Sequence, residues 1–415
     1  MKGGFFKNAL TLSGGVAFAQ ALPLLFYPVL SRIYTPGEFG LLAVVTSIVS
    51  VLAVAGSGKY ESAILVARDR EEAARLAVLS VGLGLLTMAV VALLLPFSRP
   101  LAALMGEPML AGWLWVCPLS AFCLIVFNVY NEWCVRGKMW GALSVNKIVN
   151  AGAITLAKVA LGFVRLCSQG LVVGDLVGRA VSAAGCIVRA WHGDGALFRQ
   201  VRWRGLVRCA KEYREFPLYT MPGRLLNTLG QSMPPILLTA YFGSEAAGSF
   251  SMAMLVFVLP ITVIGNSLGD VYRQRAAEEM AATGNCRKSY DRMLRTTLLA
   301  GVAALAAVVW FLPWLMGFVL GAEWVVAGRY AQILAPMMVL SFVANPLSCL
   351  FIVADRLRAF FWWQVMYAAA ASLSLWAGHA LWGSIGPTLT LYACAMGVTY
   401  VVSILMTRRF SNKGT

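Results

Sequence analysis

Tyr34-Thr-Pro-Gly-Glu-Phe-Gly40 opens an apolar run over residues 39–56, and Phe242-Gly-Ser-Glu-Ala-Ala-Gly248 opens another over 248–269. The two stretches lie 208 residues apart; each starts on an aromatic residue, ends on glycine and holds one glutamate between. Weaker matches follow in the same order: Gly106 with Gly321 at 215, Ala111-Gly112 with Ala327-Gly328 at 216, and Pro118 with Pro336 at 218. Arg136-Gly-Lys138 with Arg356-Leu-Arg358, at 220, completes the series. Constant order and slow drift mark an internal repeat, so the chain reads as two copies of one half.

Composition says what solvent those halves fold in. Of 415 residues, 60% are hydrophobic and 13% charged, with a mean hydropathy of +0.75. Soluble domains carry roughly a quarter charged residues, and no water-soluble core of this length hides so much apolar surface. A bilayer core about 30 Å thick is crossed by roughly 20 apolar residues in a helix. The alternation of an outer-membrane barrel is absent. Candidate spans fall at 9–31, 39–56, 76–95, 113–131, 144–165, 170–190, 217–240, 248–269, 297–318, 330–354, 362–379 and 385–406. An N-terminal basic, apolar and Ala17-Phe-Ala19 pattern resembles a signal peptide, but the apolar run continues to Leu30 and reads as a retained first helix.

Charge orients the spans. The segments expected inside hold 26 Lys and Arg residues, and those expected outside hold only Arg32, Arg99, Arg165 and Arg329. This asymmetry predicts an even number of spans with both termini cytoplasmic. With six spans per half, both halves enter from the same side, and the repeat is parallel. The expected fold is therefore an all-α membrane protein of about twelve transmembrane helices in two six-helix lobes, 1–191 and 217–415. The basic segment 192–216 joins them. Within it Trp203, Leu206, Val207, Ala210 and Tyr213 recur at helical spacing among basic residues. This is either an amphipathic helix on anionic membrane lipid or a plain topology-setting connector.

The net charge of +16 is dispersed between apolar runs, which excludes nucleic acid as the partner. Nine scattered cysteines form no CxxC pair and read as small apolar packing residues. No HExxH, P-loop or GxSxG motif is present. Glu38, Glu107, Glu245 and Glu323 stand singly on short outer segments. No catalytic residue, metal site or cofactor is expected, and the chain reads as a transporter rather than an enzyme.

Beyond the basic residues assigned to the two sides, four of the 34 remain, and they fall inside spans: Lys158, Arg179, Arg189 and Arg224. An ionisable group within a bilayer costs several kcal/mol unless it faces protein or water, which makes it a functional candidate. Asp175 and Arg179 stand at i, i+4, able to pair on one helix face. Arg224 follows Pro222-Gly223, where a broken helix is expected to line a cavity. Arg189, near the inner end, is expected to snorkel. Lys158, Arg179 and Arg224 against Asp175 leave a cationic excess suited to a phosphate or pyrophosphate headgroup. The alternative is a structural Asp175–Arg179 pair with Lys158 and Arg224 snorkelling. Asn227, with Asn128, Asn131, Gln231 and Asn266, offers sugar-like hydrogen-bond partners or helix–helix contacts.

The run Leu30-Ser-Arg-Ile-Tyr-Thr-Pro-Gly-Glu-Phe-Gly40, after a first span with Gly14-Gly15 and Gln20, resembles the Wzx-type polysaccharide flippases. These lipid-linked oligosaccharide translocases share a superfamily with the multidrug and toxin extrusion (MATE) exporters. Arg136-Gly-Lys138 and the Gly248 copy fit the same pattern. The resemblance implies a MATE/MOP-like two-lobed bundle in the bacterial inner membrane. It would move an undecaprenyl-pyrophosphate-linked oligosaccharide, an O-antigen or exopolysaccharide repeat unit, from inner to outer leaflet by alternating access. It also implies basic cavity residues, matching Lys158, Arg179 and Arg224, with Asp175 as a candidate coupling site for H⁺ or Na⁺. Span 1 lacks the arginines that peptidoglycan-precursor flippases carry there. A monomer, in contact with glycan-assembly proteins, is the expected state. Two rivals are a MATE-like drug/cation antiporter, which would want acidic cavity residues, and a membrane glycan polymerase or ligase, which would want a large outer loop.

Overall fold

The computed structural model describes residues 2–97, 100, 110–164 and 169–412. Gly106, Glu107, Arg99, Arg165 and Cys167 lie outside them, as does the side chain of Asn266. The described residues form helices and turns, with a single isolated bridge between Asn285 and Asn412. The long helices are α1 (Lys2–Ile33), α2 (Pro36–Gly56), α3 (Arg70–Leu93), α4 (Val116–Arg136), α5 (Trp140–Phe163) and α6 (Gln169–Arg199). After α7 (Trp203–Glu212) come α8 (Met221–Phe242), α9 (Ser244–Leu259), α10 (Asn266–Thr283), α11 (Arg287–Val308), α12 (Val325–Leu347), α13 (Leu357–Trp382) and α14 (Ile385–Phe410).

Lipid is the solvent for these helices. Leu93 at 76% exposed and Trp310 at 80% would be costly in water. Seven described helical segments have both the length and the apolar composition to cross a membrane. Ala17–Ile33 and Ser244–Val258 are shorter apolar helices. Helices α5, α8 and α13, which are not among those seven, are 24, 22 and 26 residues long. A helix of 20 residues spans about 30 Å, so these three have spanning length.

The chain divides into two compact units, Met1–Ser232 and Met233–Thr415. In the first, α4 packs on α2, α3 and α6, while α5 lies between α1 and α6. In the second, α12 packs on α9, α10, α11 and α14, and α14 on α13. The helix carrying Pro118 and the one carrying Pro336 thus each form the hub of their unit.

The quoted motif has a local cause. Thr35 is the N-cap of α2 in extended conformation: its hydroxyl accepts from Glu38 N, and Glu38 Oε2 accepts from Thr35 N at 2.7 Å. Pro36 occupies the first helical position, where its missing N–H is not needed. In the second half α9 starts at Ser244, 208 residues on, with Ala247 N bonded to Gly243 O as Phe39 N is to Thr35 O. The C-terminal ends of the hubs also match. Met139 N donates to Cys134 O at 2.9 Å and Arg356 N to Phe351 O at 2.8 Å, with Lys138 and Asp355 both left-handed at φ 53°. This corrects the pairing of Arg136–Lys138 with Arg356–Arg358: the offset there is 217, not 220.

Among the eight described cysteines all are free and seven are buried; Cys123, Cys134 and Cys186 pack in one apolar cluster with Val126 and Tyr130.

Candidate functional site

Helices α5 and α6 meet along a ladder of glycines. Gly170, Gly174 and Gly178 recur every fourth residue on α6. A Cβ at Gly178 would lie 2.3 Å from Ile154 Cα, one at Gly174 2.8 Å from Lys158 Cα, and one at Gly170 2.5 Å from the Tyr34 hydroxyl. Small residues at this spacing let helix backbones approach where no water drives association.

That approach builds the site. Lys158 Nζ lies 2.8 Å from Asp175 Oδ1, and Arg179 Nε donates to Asp175 Oδ2 at 2.5 Å from one turn further on. The three side chains are 13%, 8% and 16% exposed. Tyr34 donates its hydroxyl to the Lys158 carbonyl at 2.8 Å, tying the first residue of the repeat motif to the site. Lys158 stands five residues before the end of α5 and Asp175 six after the start of α6, so the triad is near one end of the helix pair. Each carboxylate oxygen takes one cation, and the triad carries net +1 when all three are ionised. The ammonium and the two Nη groups keep donors for a further anion.

The other predicted residues are placed differently. Arg224 is exposed on α8, where its carbonyl accepts from Thr228. Asn227 accepts from Gln231 Nε2 at 3.0 Å. Among the described residues neither bonds to the triad. The helix is not broken at Pro222-Gly223: the chain is wound as a π-helix over Phe216–Thr220 and continues into α8. A π segment relieves the backbone before Pro222 by widening the turn.

Arg189 does not snorkel. Its guanidinium donates to Asn146 Oδ1 at 2.8 Å and lies 5.7 Å over the Tyr130 ring. Asn146 in turn donates to Asn131 at 2.7 Å, so Asn131 serves helix packing between α4 and α5. Sequence spacing missed this network because its members come from three helices.

The connector carries α7, which docks on the first turns of α3. Cys209 is buried, Tyr60 donates to the Ala210 carbonyl at 3.0 Å, and Arg68 pairs with Glu212 at 2.6 Å. Tyr213 donates to Glu72 Oε2 at 3.1 Å; burial and that carboxylate push its hydroxyl up to about 12. The predicted apolar stripe is thus partly used inside the protein, while Trp203 and Val207 stay exposed. Among the described residues no three His, Cys, Asp or Glu side chains gather as a metal site.

A multi-pass all-α bundle with cations held between its helices has the build of a membrane transporter. The family profile described as polysaccharide biosynthesis protein matches residues 29–328, and the chain belongs to that family. The chain is 23% identical to the succinoglycan biosynthesis transport protein ExoT of Rhizobium meliloti, over 95% of this chain and 79% of that protein. It is also 23% identical to the teichuronic acid biosynthesis protein TuaB of Bacillus subtilis, over 47% of this chain and 40% of TuaB. In fold it resembles the lipid II flippase MurJ in an inward closed conformation, with TM-score 0.75 and 12% identity over 96% of this chain and 87% of that one. An inward-facing multidrug resistance MATE family transporter of the MOP superfamily gives 0.67 and 16%, over 97% and 94%. A MOP superfamily transporter from Pyrococcus furiosus gives 0.66 and 16%, over 98% and 96%. In fold the chain is like the MATE/MOP transporters and MurJ.

Proposed function

We propose that the chain is a flippase that moves an oligosaccharide linked to undecaprenyl pyrophosphate from the inner to the outer leaflet by alternating access. The observation that carries this reading is the buried Lys158–Asp175–Arg179 triad with its net positive charge. A charged headgroup bearing sugars cannot cross hydrocarbon unaided. Fixed cations replace part of its water shell, while the lipid tail stays in the bilayer. The names of the relatives, a succinoglycan transport protein and a teichuronic acid biosynthesis protein, support a glycan cargo. The drug/cation antiporter is the weaker reading because its cargo would want net negative charge, opposite to the triad.

The chain then sits in the bacterial inner membrane with both termini cytoplasmic, in two six-helix lobes, 1–191 and 217–415, joined by 192–216. It works as a monomer beside glycan-assembly proteins. Arg224 and Asn227 on α8, neither of them bonded to the triad, are further substrate-binding groups. Asp175 couples H⁺ or Na⁺ only if one of its two cations first lets go.

Deletion followed by lipid extraction tests the reading. Lipid-linked glycan trapped on the cytoplasmic leaflet is expected, and Arg179→Gln, inserted normally, should reproduce it. Drug hypersensitivity with normal surface glycan would instead favour the antiporter.

A further inference from the structure

An apolar groove of about 390 Å³ runs between α3, α4 and α6 in the first unit, apart from the triad. Val81, Gly82, Val126, Trp133, Ile187 and Trp191 are among its walls. Ile187 is 51% exposed and Trp191 49%, so one side is open. Added methyl groups would find room: a Cβ at Gly82 meets nothing within 4 Å.

Positive charge is in excess beside the groove. Arg199 sits 5.1 Å over the Trp191 ring, and Arg202 and Arg204, exposed with Trp203, follow at the start of α7. The nearby acid, Asp194, is already neutralised: Arg70 pairs with it at 2.8 Å and Trp133 donates to it at 3.0 Å. An apolar slot ending in unpaired-sign arginines and an exposed tryptophan matches one amphiphile, with a hydrocarbon chain and an anionic head.

We propose that this groove binds an anionic phospholipid of the cytoplasmic leaflet. Its acyl chain lies against Gly82 and Ile187, and its phosphate between Arg199 and Arg202. Chain burial contributes with every methylene, and the arginines select the charged head.

Purified full-length protein in mixed nanodiscs, released and weighed by native mass spectrometry, tests this. Phosphatidylglycerol should be retained over phosphatidylcholine. Gly82→Phe, which fills the groove, and Arg199→Gln/Arg202→Gln, which leaves it open, should each lower that retention about tenfold or more. The second variant changes exposed side chains only, so it reports even if the first does not fold. Equal retention of the two lipids, or unchanged retention in the arginine variant, would overturn the proposal. Displacement of phosphatidylglycerol by stoichiometric undecaprenyl phosphate would overturn it too, by giving the groove to a polyprenyl tail.

Discussion

At the residue scale, Asp175 is the keystone because it answers two cations with two oxygens. Removing it leaves two like charges without a counter-ion in a low-dielectric site. Asp175→Ala should cost about 3–5 kcal/mol, read as a lowered unfolding midpoint in detergent. Removing one cation is different, since a neutral pair remains. Arg179→Gln should keep a near-native midpoint while surface glycan is lost, and a large loss of stability there would contradict the pairing. The Asp175–Arg179 contact was legible because i, i+4 residues share a helix face. That Lys158 completes it was not, since the contact crosses between helices. Arg189 was misread for the same reason: its partner Asn146 lies on another helix.

At the scale of elements, the glycine ladder and the left-handed caps carry the predictions. A leucine at Gly178 would force its Cβ into the Ile154 backbone, which cannot yield as a flexible side chain could. Gly178→Leu should part α5 from α6 and abolish transport, with Lys158 and Asp175 no longer protected together from aqueous modification. Lys138 and Asp355 hold φ 53°, a conformation that costs an ordinary residue about 1–2 kcal/mol and glycine little. Lys138→Gly and Asp355→Gly should each raise stability by about 1 kcal/mol in an unfolding series. Glycines at four-residue spacing stand in plain view in the sequence, but only the neighbouring backbone shows which face they serve. The end of α2 at Gly56 was legible to the residue, whereas its start at Pro36 lies three residues before the apolar run, because Thr35 and Glu38 cap it. The end of α4 was not, because basic residues there drew the alignment three positions away from the matching backbone turns.

At the scale of the whole molecule, composition and charge asymmetry led to a multi-pass helical bundle, since bilayer thickness and loop charge are coarse, additive constraints. Helices α5, α8 and α13 answer the expected spans 144–165, 217–240 and 362–379, though they are not among the seven helices whose length and apolar content by themselves mark a crossing. Reporter fusions after α1, α6 and α14 test the orientation. A cytoplasmic enzyme tag should be active after α6 and α14, and a periplasmic one after α1; the reverse pattern would overturn the topology. The glycine ladder also has a mechanical meaning. Locked backbone to backbone, α5 and α6 cannot slide past one another and behave as one stiff plank. α6 runs 31 residues, with its single non-helical residue at Asp194. A push at Ile187, on the Asp175 side of that kink, is therefore delivered to Asp175 without being absorbed on the way, as by a lever with no slack.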